Sequence, residues 1–451
     1  MNAERGSITA KFGGSSLASG ECIQRVGEIV RKNPERQFVV VSAPGKDEKH
    51  PQKVTDLLYE VSAAQEEGRS HIQTFERVAH RFEQIGRELH FHNPVVGWLN
   101  TVEEGIQREN GQDWIVSRGE WMMAQIFAQL IDGEFHDAAP LIKLDENTGC
   151  VLPMTYDLIR TQLLPREGIY HVIPGFYGSI DMSITNPDYV IVKVFPRGGS
   201  DITGAIIAKG TESRVYENWS DVPGVLAADP KVVENPKIIP RMSYQQMREL
   251  GYRGANVLHS DAIIPAAEAH IPINLRSTFE PENPGTWITQ ETNKQPPILG
   301  IAGKAGFTSF HIEEVGLNAR PGIGEAILGI FKEYGVSYEH SPTSIDGFSM
   351  IVDEKYLNGK EGSIIGALQT LFPHGSVTAE HDLGLVCVVG EGIKKNPTLI
   401  HAKFYMALQA QKIVTKCEIY HIGGNNIIIG VSDKDVNRTI QALYDTFIKP
   451  R

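Results

Sequence analysis

The sequence predicts an α/β sandwich around a mainly parallel sheet, followed by two smaller βαββαβ units. Three observations carry that expectation. Short apolar runs alternate with helical stretches up to residue 275, as in chains built from crossover connections. One of these runs, FVVVS at 38–42, is apolar almost throughout, the pattern of a strand buried on both faces of a parallel sheet. Beyond residue 297 a strand–helix–strand–strand texture appears twice.

Taken in order, residues 7–12 form a short strand entering Gly13-Gly14, and 21–32 have helical spacing. Residues 55–92 read as helical and highly charged, and a further helix covers 121–131. Apolar runs at 170–173, 190–195 and 272–275 supply more strands. Residues 283–297, rich in Asn, Pro, Gln, Thr and Lys, read as a linker. After it come a strand at 300–313, a helix at 322–333, strands at 336–341 and 349–352, a helix at 362–371 and a strand at 376–380. A second series has strands at 383–389, 416–421 and 426–431 and helices at 399–410 and 435–447. Each series is about 70 residues, the usual size of this split motif. The expected domains are therefore 1–296, 297–381 and 382–451, with any strand exchange between the last two left open.

Composition narrows the function classes. The 451 residues are 41% hydrophobic and 22% charged, enough apolar content for a large core. Lys and Arg total 43 against 55 Asp and Glu, a net charge of −12 that disfavours nucleic acid as a partner. Cys22, Cys150, Cys387 and Cys417 are too widely spaced for a CxxC redox or zinc arrangement. The first residues lack the apolar segment of a signal peptide, and no apolar run is long enough for a membrane span. A soluble, cytoplasmic protein with no membrane partner is expected. The 15 histidines read as surface or core residues, and no protein-held metal site is expected.

Four segments carry candidate chemistry. Lys11-Phe12-Gly13-Gly14-Ser15-Ser16 leaves a strand and precedes a helix, where glycine amides approach an anion closely. A lysine there can neutralise charge on a transferring phosphoryl group, although it precedes the glycines, unlike the P-loop lysine. Taken alone, the loop also fits an ordinary strand-to-helix turn. Arg197-Gly198-Gly199-Ser200-Asp201 follows another apolar run; the arginine offers a planar fork for a carboxylate, and the aspartate can orient a lysine. Ser117-Arg118-Gly119-Glu120 opens the expected 121–131 helix, where an acid also simply favours the helix dipole. Residues 219–231, WSDVPGVLAADPK, are dense in turn formers.

Together KFGGSS, VVSAP with Thr55 downstream, SRGE, RGGSD, SDVPGVLAADP and GANVLHSDAIIPA (254–266) resemble, in order, the motifs of the aspartate kinase branch of the amino acid kinase family. The resemblance spans essentially the whole chain, and the tail looks like that family's paired ACT domains. It implies a three-layer sandwich with a mainly parallel central sheet, and ATP-dependent phosphorylation of the β-carboxylate of L-aspartate with Mg²⁺ carried by the nucleotide.

By that resemblance Lys11 contacts the ATP phosphates and, with Asp201, is catalytic, while Gly13, Gly14 and Ser15 line the phosphate loop. Thr55, Glu120, Arg197, Gly198, Gly199 and Ser200 fall where the family binds aspartate, and Ser220, Asp221, Leu226, Lys231 and Asn256 fall near the nucleotide. Three positions depart from the family pattern: Asn256 stands where many members have a lysine, Leu226 where tyrosine is common, and Lys231 where arginine is common. The resemblance also implies a homodimer or homotetramer joined through ACT domains and feedback by an amino acid, lysine first, with threonine or a concerted lysine–threonine effect as the runner-up. Arg320, Ile323, Gly324, Ser337, Tyr338, Glu339, Ser344 and Asp346 are the expected effector residues. Rival readings are another carboxylate kinase of the superfamily, and an amino-acid sensor that has lost catalysis; turnover of ATP with aspartate separates them.

Overall fold

The computed structural model describes residues 6–108, 110–180, 190–196, 198–252, 258, 260–291, 295–419 and 424–449. The chain divides into two compact units. The first comprises Met1–Val225, Pro240–Arg248 and Asn256–Thr292; the second comprises Leu226–Ile239, Glu249–Ala255 and Asn293–Arg451.

In the first unit an eight-stranded sheet is built from β1 (Ile8–Phe12), β2 (Phe38–Val41), β3 (Glu134–Phe135), β5 (His171–Pro174), β8 (Val215–Ser220), β9 (Arg241–Ser243), β10 (Ile273–Ser277) and β11 (Thr286–Thr289). Its order is β3-β5-β2-β1-β8-β10-β11-β9, and every pairing is parallel except β10 with β11. A small second sheet joins β4 (Lys143–Leu144), β6 (Tyr177–Ile180) and β7 (Ile191–Val194). β1 and β2 are buried along their whole lengths; β2 is an unbroken apolar run, whereas β1 also buries Thr9 and Lys11. The chain leaves β1 toward β2 and later returns to β8 on the other flank, so the sheet reverses direction between β1 and β8. Open α/β sheets bind ligands at such a switch, beyond the C-terminal strand ends.

The helices follow from local signals. Helix Gly20–Lys32 starts at Ser19, whose hydroxyl accepts from the Cys22 amide, buries Ile23, Val26, Ile29 and Val30, and ends on Arg31 and Lys32. The expected 55–92 stretch is two helices, Val54–Glu66 and Ile72–Glu88, broken at Gly68 with its left-handed φ of 67°. Helix Gln112–Ile131 starts nine residues before the expected 121, because Gly111 serves as its N-cap. SRGE therefore lies inside a long helix, in its fully buried stretch, and does not open one. The expected linker at 283–297 also contains structure: Thr286 and Ile288 are buried and β11 pairs with β10. The polar composition hid a two-residue alternation.

The second unit contains a five-stranded sheet of β12 (Gly300–Glu313), β13 (Gly347–Asp353), β14 (Ser376–Val389), β15 (Cys417–Ile419) and β16 (Asn426–Val431), in the order β13-β12-β14-β16-β15. β12 and β14 run antiparallel along their full lengths, with register shifts around Phe307. The expected strands 376–380 and 383–389 are thus one strand, kinked at Asp382, whose φ is 60°. The expected strand at 336–341 makes only an isolated bridge, His340 to Ile351. Halves of the long strands are shared out. Residues 307–313 pair with β13 and the start of β14, whereas 300–304 pair with the end of β14, beside β16. The first βαβ module is therefore inserted into the second. The ribbon Leu226–Ile239 joins this unit through the Ile301 amide, which donates to Ala227 O, and the Tyr444 hydroxyl, which accepts from the Lys237 amide.

Beneath the first sheet, Glu217 of β8 receives Nε of Arg36 at 2.7 Å and Nε1 of Trp219 at 2.9 Å, with Arg276 at 3.7 Å. Both guanidinium groups also face the Trp219 ring. A buried pair of this kind is costly to break from one side, because the stranded charge keeps its desolvation penalty. Glu217→Leu is expected to destabilise the first unit by about 3–5 kcal/mol, measured by urea unfolding. The double variant Arg36→Met, Glu217→Leu should recover part of the loss; equal stability of Glu217→Leu and the unsubstituted protein would contradict this.

Candidate active site

The C-terminal ends of β1, β2 and β8 gather the candidate residues. Lys11 lies on β1 in register with Asn218 of β8. Its ammonium, 93% removed from solvent as a residue, meets Asp201 Oδ1 at 2.5 Å. Asp201 sits in the first turn of helix Gly199–Gly210 and is held from the sheet side. Asn218 Nδ2 donates to its Oδ1 at 2.9 Å, and the Tyr216 hydroxyl donates to its main-chain oxygen at 3.0 Å. Burial, then the Asp201 charge, hold the Tyr216 phenol well above its ordinary pKa, so it stays a donor. Asn218 and Tyr216 are invisible as site residues in the sequence, where both read as strand; only their alternation toward one face marks them.

The glycine turn follows β1. The Gly13 amide donates to Trp219 O at 3.0 Å, tying the ends of β1 and β8 together, and Lys11 Nζ lies 3.5 Å from where a Gly13 side chain would begin. Gly14 runs against the loop after β2: a Cβ there would lie 2.7 Å from Ala43 O, while the Gly45 amide donates to Gly14 O at 2.8 Å. Gly14 through Leu17 form a single 3-10 turn that includes Ser15. Arg81, not anticipated from the sequence, clamps this loop pair. Its buried guanidinium donates to Ala18 O and Gly45 O and pairs with Asp47 at 2.7 Å.

Glu120 approaches the same loop from helix Gln112–Ile131. A Cβ at Gly119 would lie 2.9 Å from the Ala43 side chain and 3.3 Å from Val54, so that position admits only glycine. The contact brings the Glu120 carboxyl to the Ala43 amide; Gly119 itself lies against Val54, the first residue of helix Val54–Glu66, whose first turn carries half-buried Thr55. Glu120 is buried, and its Oε2 has no hydrogen-bond partner among the described residues. Burial raises its pKa to about 8, against the lowering effect of the Ala43 amide and the nearby Arg118. Arg118 itself is enclosed by Trp114, Trp121 and Tyr177. A buried, half-satisfied carboxyl needs a ligand donor or cation to complete it.

Gly198 (φ 82°) turns the chain into the Gly199–Gly210 helix, as only glycine does easily, and buried Ser200 packs against Gly175. Phe176 is held at φ 80°, its amide donating to Thr203 Oγ1. A bulky residue in that region marks an over-determined turn beside a site. Arg197 and Asn256 lie outside the described residues. Ser220 closes β8, its carbonyl accepting from the Thr278 amide, and Asp221 is exposed. Leu226 and exposed Lys231 belong to the ribbon of the second unit.

Of the expected effector residues, Ile323 and Gly324 begin helix Ile323–Glu333 after Gly322 (φ 78°). Arg320 pairs with Glu314 at 2.8 Å. Asp346 Oδ1 accepts the Gly316 amide at 2.7 Å, so one of its oxygens is already committed. The Glu339 amide donates to Ile351 O, Ser344 precedes β13, and Ser337 and Tyr338 are exposed. No helix among the described residues is long and apolar enough to cross a membrane.

Comparison with known proteins agrees with this geometry. The sequence profile of the amino acid kinase family matches residues 8–277. Aspartokinase 3 of Bacillus subtilis is 34% identical over 455 residues, covering 97% of this chain and 98% of its own. The crystal structure of Clostridium acetobutylicum aspartate kinase is 36% identical, covers 98% of this chain and 100% of its own, and superposes with a TM-score of 0.87. Escherichia coli aspartokinase III, solved with aspartate and ADP, covers 98% of this chain and 100% of its own at 22% identity and a TM-score of 0.80, a likeness of fold.

The Glu120 carboxyl also makes a stability prediction. Its folded pKa, about 8, lies above the unfolded value near 4.5, so the folded state holds the proton more tightly. Its ionisation costs stability progressively as pH rises between those values. Glu120→Gln should therefore gain stability relative to the unsubstituted protein between pH 5 and about 8. Thermal unfolding at both ends of that window checks it; a pH-independent difference would mean that Glu120 is ionised throughout.

Proposed function

The chain belongs to the amino acid kinase family, as an aspartate kinase, and from that premise we propose that it makes 4-phospho-L-aspartate from ATP and L-aspartate at the ends of β1, β2 and β8. The observation that carries this reading is the Lys11–Asp201 pair beside the Gly13-Gly14 turn. A β-carboxylate oxygen of aspartate attacks the γ-phosphorus, and the bond to the β-phosphate oxygen breaks to release ADP. The nucleophile has a reference pKa of about 3.9 and is already ionised, so no general base is needed. What the protein supplies is alignment and cancellation of repulsion between two anions. Lys11 does this at the transferring group, and Asp201 fixes its ammonium there. Mg²⁺, arriving with the nucleotide, adds charge cancellation at the phosphates.

Aspartate is oriented by its two ends. Glu120 receives the α-ammonium on the oxygen that has no protein partner, and Arg197 takes the α-carboxylate, with Thr55, Gly198, Gly199 and Ser200 around it. Ser15, Ser220, Asp221, Leu226, Lys231 and Asn256 are assigned to the nucleotide. The reaction is the first step of the lysine, threonine and methionine pathway, carried out in the cytoplasm by a homodimer or homotetramer. Residues 1–296 are assigned to the kinase domain and 297–451 to the regulatory tail, in which the module spanning 307–380 is inserted into the one made of 300–304 and 383–449.

Regulation is assigned to lysine at the first module. The Clostridium relative is an allosteric enzyme, which supports regulation in general. The amides at the start of helix Ile323–Glu333 suit an effector carboxylate, and Glu339 with the uncommitted oxygen of Asp346 suits the two ammonium groups. Lysine inhibits only by binding an inactive state more tightly than the active one.

Lys11→Ala should lower kcat by roughly 10³-fold with a smaller change in KM, because the ammonium counts most in the transition state. Near-normal turnover of that variant with ATP and aspartate would overturn the reading. Feedback is tested without truncation, since removing the tail would strip the partners of the Leu226–Ile239 ribbon. Glu339→Gln with Asp346→Asn keeps the acceptor for Gly316 and removes both charges. Its lysine inhibition midpoint should rise at least about tenfold, the effect of about 1.4 kcal/mol; an unchanged midpoint places the effector elsewhere.

A further inference from the structure

At the opposite end of the sheet from Lys11, three side chains converge that the kinase reaction does not use. Glu134 opens β3 and sits directly across from His171, the first residue of β5. His136 lies two residues beyond Glu134, so strand alternation returns it to the same face. His136 Nε2 and His171 Nδ1 are 2.9 Å apart, and Glu134 Oε2 lies 3.6 Å from the first and 3.7 Å from the second. The centre of the triangle these atoms form is about 2.0 Å from each, so an ion at or slightly above it meets zinc–nitrogen and zinc–carboxylate bond lengths.

The protonation pattern suits the same purpose. His171 is fully buried, and its Nε2 faces Leu164 O at 3.0 Å. A carbonyl only accepts, so Nε2 carries the proton and the Nδ1 lone pair accepts from His136 Nε2. A backbone carbonyl accepting from one imidazole nitrogen is how proteins orient metal-bound histidines, and an ion here would take the place of the His136–His171 hydrogen bond. Arg166 is the competing cation, paired with the Glu134 carboxylate.

We propose that Glu134, His136 and His171 form a binding site for one divalent transition metal of the zinc class, pinning β3 and the 164–170 segment to the edge of the sheet. Imidazole and carboxylate donors select zinc or cobalt over the Mg²⁺ that accompanies ATP, which is an oxygen-ligand ion. The ion is structural: it sits at the N-terminal end of β5, whereas the reaction uses the C-terminal strand ends.

The test uses the full chain, stripped with chelator and titrated with Co²⁺ and then Zn²⁺. One Co²⁺ per chain should bind with visible d–d absorption, without the thiolate charge-transfer band that cysteine ligation would give, and Zn²⁺ should displace it. Metal should raise the thermal midpoint of the unsubstituted protein by linkage. His136→Ala and Glu134→Gln, both at partly exposed positions, should each weaken binding by about tenfold or more. Arg166→Ala frees the carboxylate and should tighten it, which keeps the proposal testable if a ligand variant misfolds. Absence of saturable Co²⁺ or Zn²⁺ binding, undiminished affinity in either ligand variant, or unchanged or weaker binding by Arg166→Ala would overturn the site.

Discussion

The pairing of Lys11 with Asp201 is the constraint around which the first unit is arranged. An ammonium buried to this degree needs a counter-ion at hydrogen-bond distance, and here the counter-ion comes from a helix far along the chain. Meeting it requires β1 and β8 to be neighbours, so that Asn218 stands beside Lys11 in register and reaches the same carboxylate. It requires the helix to lie close over β8, and Gly204 makes this possible: a Cβ there would lie 2.6 Å from the Tyr216 ring. It also requires a left-handed turn at Gly198 to aim Asp201 inward. Sheet order, helix packing and turn chemistry all serve one ion pair.

Much of this was legible in the sequence, because the signals were local. The KFGG turn, the FVVV strand and the RGGSD helix start each combine an apolar run with glycines, and the structure gathers Lys11, Gly13, Gly14, Glu120, Ser200 and Asp201 around the same strand ends. What was missed depends on tertiary context. Arg81 reads as one more charge on a polar helix until the Gly45 carbonyl is placed next to it. SRGE reads as the opening of a helix at 121, whereas it lies inside Gln112–Ile131 with Gly119 closely approaching Ala43. β11 was hidden by a composition typical of linkers, and the His136–His171 contact depends on a cross-strand register that no spacing rule reveals.

The second unit shows how two similar modules become one object. Each half of β12 serves a different module, as does each half of β14, with Asp382 as the hinge between registers. Sharing strands joins the two modules along a common sheet, so the strand that leads to the helix at Ile323 is covalently continuous with the segment 300–304, which pairs with the part of β14 next to β16. Such continuity is a physical route for coupling that separately folded modules would lack.

The insertion of one module into the other also sets the order in which the protein can form during synthesis. Residues 300–304 leave the ribosome first, yet Gly300 must wait for Val389, and Gly303 for the helix carrying Val436 and Ile440. At about 5–20 residues per second, that edge stays uncovered for roughly 7–30 s. The sheet of the first unit can close in that interval, but the five-stranded sheet of the second cannot. Its strands remain open to other nascent chains until the last helix emerges, which makes the C-terminal end of the chain the step that commits the whole tail to its fold.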